Sequence, residues 1–306
     1  MTLPVAIVGA GPVGLTSALG LAHYGIPFAL FEDEERLSTE TKAGTTLSRS
    51  LEIWRRYGAH QAVLGRSMRV DEIGDIERST HRSRSPVRMS VLGRETRFPF
   101  VINLPQQDME PALAEGLKDD VFFRHRLTDF EQQSDRVVLK FENGKRFEAA
   151  YLLACDGGRS TVRERLGIRV EGESLPVKYA LIDLEVDLDV ANPRDYPYLA
   201  YFSDPKEWMI LVRHPHCWRF LFPLAPEAAE PSAEALRDKV LSFIGAASGV
   251  RILGKVIYRV HNRVASDWRR DRVFLMGDAA HLITPMWALG VNTGLLDCSN
   301  LCWRLA

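Results

Sequence analysis

Four consecutive apolar residues, Val5-Ala6-Ile7-Val8, open the ordered pattern of the chain and run straight into glycine. An unbroken apolar run of that length reads as a strand buried on both faces. Over residues 12–24 the period changes, with Val13, Leu15, Ala18, Leu19 and Ala22 on one helix face and Gly25 and Pro27 as the stop. Residues 28–31 form a second short buried strand. Farther on, Val137-Val138-Leu139 leads to an Asn143-Gly144 turn, and the chain then climbs through Tyr151-Leu152-Leu153-Ala154, a hairpin followed by a strand. From about residue 176 to 261 the segments are strand-like and rich in aromatics, including Tyr179, Tyr198, Tyr201, Trp208, Trp218, Phe220 and Phe222. One helical stretch, residues 232–244, interrupts them, and such strands suit a sheet covering a planar ligand. A last strand over 272–276 precedes a helix that begins at 290–292 and carries Leu295, Leu296, Leu301 and Leu305.

With 306 residues the chain has room for two domains, or for one large α/β domain with an insertion. A hydrophobic content of 46% and a net charge of −1 describe a globular protein without the basic field that would favour nucleic acid or an anionic membrane. The Arg- and Ser-dense residues 78–88 read as an exposed loop or strand edge. No apolar run reaches the ~18 residues of a membrane span, and a first strand at residue 5 leaves no room for a signal peptide, so a cytoplasmic protein is expected. Cys155, Cys217, Cys298 and Cys302 lie in apolar contexts without a C-x-x-C pair. They read as reduced thiols used as small hydrophobes, and no metal site is expected.

Three segments carry candidate chemistry. Gly9-Ala10-Gly11-Pro12-Val13-Gly14 has the G-x-G-x-x-G spacing between strand and helix: Gly9 for the tight turn, Gly11 for close backbone approach to a pyrophosphate, Gly14 for helix–strand packing. The helix N-terminus adds free N–H groups and a positive dipole. Glu32 ends the second strand 23 residues past Gly9, where an acid accepts hydrogen bonds from an adenosine ribose. The second segment, Asp156-Gly157-Gly158-Arg159-Ser160, exposes backbone beside a carboxylate, which suits a ribityl or phosphate contact. Taken alone, Asp-Gly is also a common turn, and Thr161-x-x-Glu164 reads as a capping box. The third runs Gly277-Asp278-Ala279-Ala280-His281 through Pro285 to Gly290-Val291-Asn292-Thr293-Gly294. There Asp278 is placed to accept from sugar hydroxyls, and the helix start offers amides to a developing anion. His281 is either a structural group fixing the turn or a functional one.

In this order the three segments resemble the class A flavoprotein monooxygenases, the para-hydroxybenzoate hydroxylase-like aromatic hydroxylases, over essentially the whole chain. The resemblance implies an α/β fold: a Rossmann-like FAD-binding domain (residues 1–75, 103–175 and 262–306) with an interleaved β-sheet substrate domain (76–102 and 176–261). It implies that Gly9, Gly11, Gly14 and Glu32 hold the ADP part of FAD, that Asp278 holds the ribityl chain, with Asp156, Gly157, Gly277 and Gly290 also binding the cofactor, and that the Val291 and Asn292 amides face the pyrimidine end of the isoalloxazine, Pro285, Val291 and Asn292 being the catalytic residues. Lys42 stands where the family has an arginine near the pyrophosphate, and Gln106, four residues before Glu110, where a glutamine contacts the flavin. Two departures stand out. Met286-Trp287-Ala288-Leu289 replaces a glycine-rich run, so the loop is bulkier and Trp287 is expected to restrict its mobility. Lys42 offers a point charge instead of a bidentate group. Family members continue well beyond residue 306, which implies that a C-terminal part of the substrate region is absent from this sequence.

The implied reaction is hydroxylation of a phenolic or related aromatic or heteroaromatic ring by O2, with NADH or NADPH as reductant, through a flavin hydroperoxide; a homodimer is left open. With a single dinucleotide fingerprint, NAD(P)H has no Rossmann site of its own and is expected to dock near Lys42, Asp156 and Arg163. Arg213, His214 and Arg219, flanking the strand 218–222, are candidate substrate contacts; the alternative is solvated arginines and a turn histidine beside Pro215. Alternation puts Arg219 with Leu221, and Trp218, Phe220 and Phe222 on the other face. Rival readings are another FAD oxidoreductase of the same fold, or a binding protein of that fold without redox work, as in GDP-dissociation inhibitors. A halogenase is disfavoured because W-x-W-x-I-P is absent.

Overall fold

The computed structural model describes residues 3–39, 44–117, 120–188, 196–204, 207–244 and 250–306. Among these, seven α-helices follow in chain order: α1 (Pro12–His23), α2 (Ser48–Arg56), α3 (His60–Leu64), α4 (Gln106–Ala114), α5 (Thr161–Arg165), α6 (Ala233–Ile244) and α7 (Leu289–Leu305). The chain divides into two compact units, residues 1–66, 105–173 and 261–306, and residues 67–104 and 174–260.

The first unit is built on a six-stranded sheet in the order Arg269–Arg270, Val273–Leu275, Tyr151–Ala154, Val5–Val8, Phe28–Phe31, Val121–Phe122. All neighbours are parallel except the short edge pair Arg270↔Val273. Parallel strands need a covering layer on each face. On one face Ala6, Val8, Ala29, Phe31, Leu152 and Ala154 pack against Val137, Leu139 and Phe141 of a three-stranded antiparallel sheet. The helical layer contains α1, which packs on α7 and α4. This explains why α1 departs from the one-sided pattern in its sequence: every residue from Gly14 to Leu21 is buried, including Thr16 and Ser17, whereas Ala22, expected on the apolar face, is exposed. Trp54 Nε1 on α2 donates to Thr16 Oγ1 at 3.0 Å, which satisfies that buried hydroxyl.

In the second unit the sheet order is Arg251–Ala265, Val170–Glu185, Cys217–Leu224, Met209–His214, Leu199–Ser203, Glu72–Glu77, Arg82–Ser83, taking the two longest strands where they lie within it. Ala180, Ile182, Leu184, Leu211, Trp218, Phe220 and Phe222 project to one face and form an apolar cluster with Leu236, Val240 and Ile244 of α6. The three helix positions are spaced four apart, so one stripe of α6 covers the sheet. The second unit begins earlier than the sequence boundary at residue 76, because Glu72–Glu77 pairs in parallel with Leu199–Ser203.

Candidate functional site

In the first unit the three glycine-bearing segments meet at the carboxyl ends of the parallel strands. Gly9 has φ +99, and a methyl added there would lie 2.3 Å from the Cys155 carbonyl oxygen. A methyl on Gly14 would stand 1.8 Å from the Gly9 oxygen, so α1 can press on its own strand turn only without a side chain at that position. Gly11 differs: the nearest atom to such a methyl is Glu110 Oε1 at 4.0 Å, so the backbone there is open on its outer side. Val13 and Gly14 lie in the first turn of α1, where N–H groups have no intrahelical acceptor.

Glu32 closes this loop from the next strand. Its Oε2 accepts from the Ala10 amide at 2.6 Å and its Oε1 from Glu34 N at 3.1 Å. Burial, and then a hydrogen bond with Asp33, lifts its pKa to about 7.

Asp156 follows the central strand Tyr151–Ala154, and Gly157 turns the chain away at φ +78. The carboxyl is buried and pushed above the usual carboxylate range for that reason. Oδ2 accepts from Val162 N at 3.1 Å, while Oδ1 is buried without a hydrogen-bond partner among the described residues. The expected Thr161 capping box is shifted by one residue: Ser160 caps α5 by accepting from Arg163 N at 3.0 Å. Arg163 is buried as well, its guanidinium donating to Ala279 O at 3.0 Å and Gly158 O at 2.8 Å. That commits it to holding the second segment on the third, not to an exposed charged groove.

Gly277 (φ +54) and Gly294 of α7 both receive Val13 of α1; a methyl on either would lie 2.9 and 2.6 Å from Val13 Cγ2. Asp278, one residue on, is exposed. Asp297, which the sequence pattern did not single out, accepts from the Gly277 amide at 3.0 Å and from His281 Nε2 at 2.8 Å. The carboxylate partner assigns the proton to Nε2, and His281 thereby fixes the turn.

Asn292 makes four side-chain bonds: Oδ1 accepts from Leu47 N (2.9 Å) and Ser50 Oγ (2.7 Å), and Nδ2 donates to Thr45 O (3.1 Å) and Ala288 O (2.6 Å). Its side chain thus clasps the α2 entry to the α7 start. Gly290 and Val291 occupy the first turn of α7. Pro285 leads into a one-turn 3-10 helix, in which Trp287 and then Ala288 take φ of 62 and 55. Two residues where a glycine run was expected therefore carry a backbone suited to glycine. Leu296, expected among the apolar positions of α7, is exposed; the buried positions are Asn292, Gly294, Leu295, Cys298 and Cys302. Gln106, first in α4, donates through Nε2 to Glu110 Oε1 at 2.7 Å, and Glu110 Oε2 accepts from Ser38 N at 3.0 Å. Lys42 lies outside the described residues.

In the second unit the three candidate substrate residues separate. Arg213 stacks over Trp218 at 5.5 Å, on the face that α6 covers. Arg219 is on the opposite face, where its Nε and Nη2 meet the two Asp183 carboxylate oxygens at 2.8 and 2.9 Å. His214 is fully buried on that same face, with neither ring nitrogen hydrogen-bonded among the described residues and its pKa lowered by burial first and by Arg219 next. A solvated-turn account therefore fails for Arg219 and His214. A cavity of about 460 Å³ bordered by Arg78, Glu207, Lys239 and Phe243 includes none of the three.

A family profile described as FAD binding domain matches residues 2–306. The 3-(3-hydroxy-phenyl)propionate/3-hydroxycinnamic acid hydroxylase of Burkholderia cenocepacia (strain HI2424) is 31% identical over 317 residues, covering 99% of this chain and 56% of that protein. The para-nitrophenol 4-monooxygenase of Pseudomonas sp. (strain WBC-3) is 27% identical over 312 residues, 97% of this chain and 76% of that protein. The crystal structure of p-nitrophenol 4-monooxygenase PnpA from Pseudomonas putida DLL-E4 superposes with TM-score 0.89 at 26% identity, over 99% of this chain and 79% of that one. The flavin-dependent monooxygenase PieE, solved with FAD and substrate, gives 0.87 at 27%, over all of this chain and 57% of that one. This chain thus spans little more than half the length of the first of these hydroxylases.

Proposed function

The chain belongs to the FAD-binding domain family, and from that premise we propose that it is the flavin-holding and ring-facing part of a monooxygenase. The reaction is hydroxylation of a phenolic or related aromatic ring by O2, with NADH or NADPH as reductant. Relatives named for hydroxylation of hydroxyphenylpropionate and of para-nitrophenol support this reading.

One observation carries the cofactor fit: the open backbone at Gly11 stands beside α1 amides that lack intrahelical acceptors. The buried, unpaired Asp156 Oδ1 is a second fit, since an orphaned carboxylate oxygen calls for a hydroxyl donor. On this reading Gly9, Gly11 and Gly14 admit the pyrophosphate, and Glu32 accepts from the adenosine ribose. Asp156 and Gly157, with Gly277 and Asp278, take the ribityl and phosphate portion. The Val291 and Asn292 amides face the pyrimidine end beside Gly290 and Pro285, with the Asn292 side chain fixing the loop that presents them. Gln106 keeps its carbonyl oxygen for the flavin, its amide being given to Glu110.

When bound, FAD supplies the redox and oxygen chemistry. The protein's part is to hold the ring system, exclude water and orient the substrate. With Arg163 committed to Ala279 and Gly158, the reductant is left to dock by weaker, transient contacts. The purified chain should be yellow, and acid release followed by chromatography should give FAD; recovery of FMN, or of no flavin from folded protein, overturns the proposal.

A further inference from the structure

The short turn before α7 carries a strain that its packing does not offset. Trp287 takes φ 62 and ψ 15, a left-handed conformation open to glycine and unfavourable for a bulky side chain. Backbone outliers of this kind persist where the surroundings over-determine them, and they cluster at binding sites. A tryptophan kept there would be explained if its indole filled the core. It does not: Trp287 is 52% exposed, and none of Met286, Trp287 and Ala288 is buried.

The common structural task of a large apolar residue at this place is closed to it as well. Ala288 is the N-cap of α7, so Trp287 stands one residue before the cap, where an apolar side chain packs on the fourth residue of the helix. That fourth residue is Asn292, which is polar, buried and committed to Leu47, Ser50, Thr45 and Ala288.

The backbone beside the indole is fixed. Ala288 N donates to Pro285 O at 3.1 Å, and Ala288 O accepts from Asn292 Nδ2 at 2.6 Å. The side chain is therefore presented from a closed turn, directly upstream of the helix end that the flavin reading sets against the isoalloxazine. An indole is electron-rich and the isoalloxazine is flat and electron-poor, and such rings gain by offset stacking. A partner held in place beforehand spares the ordering cost of the contact.

Resting on that flavin reading, we propose that Trp287 stacks its indole on the isoalloxazine of bound FAD and holds the ring system at the start of α7.

The test titrates the apoproteins of the parent, Trp287→Phe and Trp287→Gly with FAD and records the time-resolved emission of the bound flavin. An indole in contact passes an electron to the excited flavin and takes it back, which shortens the emission; a phenyl ring does not. The parent should therefore bind FAD with strongly shortened emission. Trp287→Phe keeps a stacking ring, so its dissociation constant should stay within about twofold of the parent's while its emission lengthens. Trp287→Gly should weaken FAD binding by about three- to tenfold. Its apoprotein should melt at or above the parent's temperature, because glycine relieves the backbone, whereas loss of a merely structural tryptophan would lower it. Parent-like emission in Trp287→Phe, or a parent-like dissociation constant in Trp287→Gly, overturns the contact and leaves the flavin reading in place. If the parent protein binds no FAD, the flavin reading falls and this proposal with it.

Discussion

Asp297 and His281 meet at 2.8 Å, and the same carboxylate oxygen accepts the Gly277 amide at 3.0 Å. One side chain on α7 thus anchors both ends of the Gly277–His281 turn. Asp297→Ala would leave a backbone donor and an imidazole proton without their acceptor, a loss of about 1–3 kcal/mol. We expect a lower denaturation midpoint and faster loss of FAD on dilution. Parent-like values on both would show that the turn is held by its glycine and Val13 packing alone.

Asp278 sits on that turn but is exposed, so its removal separates cofactor binding from folding. Asp278→Ala should change the unfolding midpoint of the apoprotein far less than Asp297→Ala does, and weaken FAD binding by about ten- to a hundredfold, the worth of roughly 1.5–3 kcal/mol for a charge-assisted hydrogen bond. Titration of the apoprotein with FAD reads the change, and an unaltered dissociation constant would reduce Asp278 to a turn residue.

Local patterns made the nucleotide-fold elements readable. Val5–Val8, the Gly9–Gly14 turn and Phe28–Phe31 form within about thirty residues, and Gly9 and Gly14 there answer a steric demand that any side chain would violate, while Gly11 leaves its backbone open. The features that escaped notice depend on distant partners. Asp297 looks like one polar residue in a helix until its bonds, 16 and 20 residues back, are known. Glu110 served only to mark a spacing, because its partner Ser38 is 72 residues away. Arg219 read as a free cation since Asp183 reaches it only through strand pairing. Burial of α1 on every side was hidden for the same reason: the sequence shows its stripe toward the sheet, not the α7 packing on its back.

Glu32 offers a pH signature. Burial and then Asp33 hold its carboxyl at about 7, above the ordinary 4.5. A carboxyl raised on folding binds its proton more tightly folded than unfolded. Its contribution to apoprotein stability is therefore full below about 4.5 and is lost as pH rises through about 7. FAD binding runs the other way, because ribose hydroxyls donate to the ionised form. The FAD dissociation constant should fall by up to about tenfold per unit as pH is raised toward 7 and level off above it. In Glu32→Gln both dependences should flatten, and a variant that keeps the parent's pH profile would assign it to another group.

Trp287 and Ala288 give the last test. Their φ values of 62 and 55 place two successive non-glycine residues in the left-handed region, directly before α7. Each such residue costs about 1–2 kcal/mol, and glycine removes the strain while adding about 0.5–1 kcal/mol of unfolded-state entropy. Ala288→Gly should therefore stabilise the protein by about 0.5–1 kcal/mol, a rise of roughly 1–4 °C in Tm for a chain of this size. Ala288→Val should lower Tm, since a β-branched side chain fits that conformation worse than alanine. The opposing signs are the diagnostic, because a simple packing role for the Ala288 methyl would make glycine destabilising. Thermal unfolding of the three proteins, each loaded with FAD, decides between these accounts.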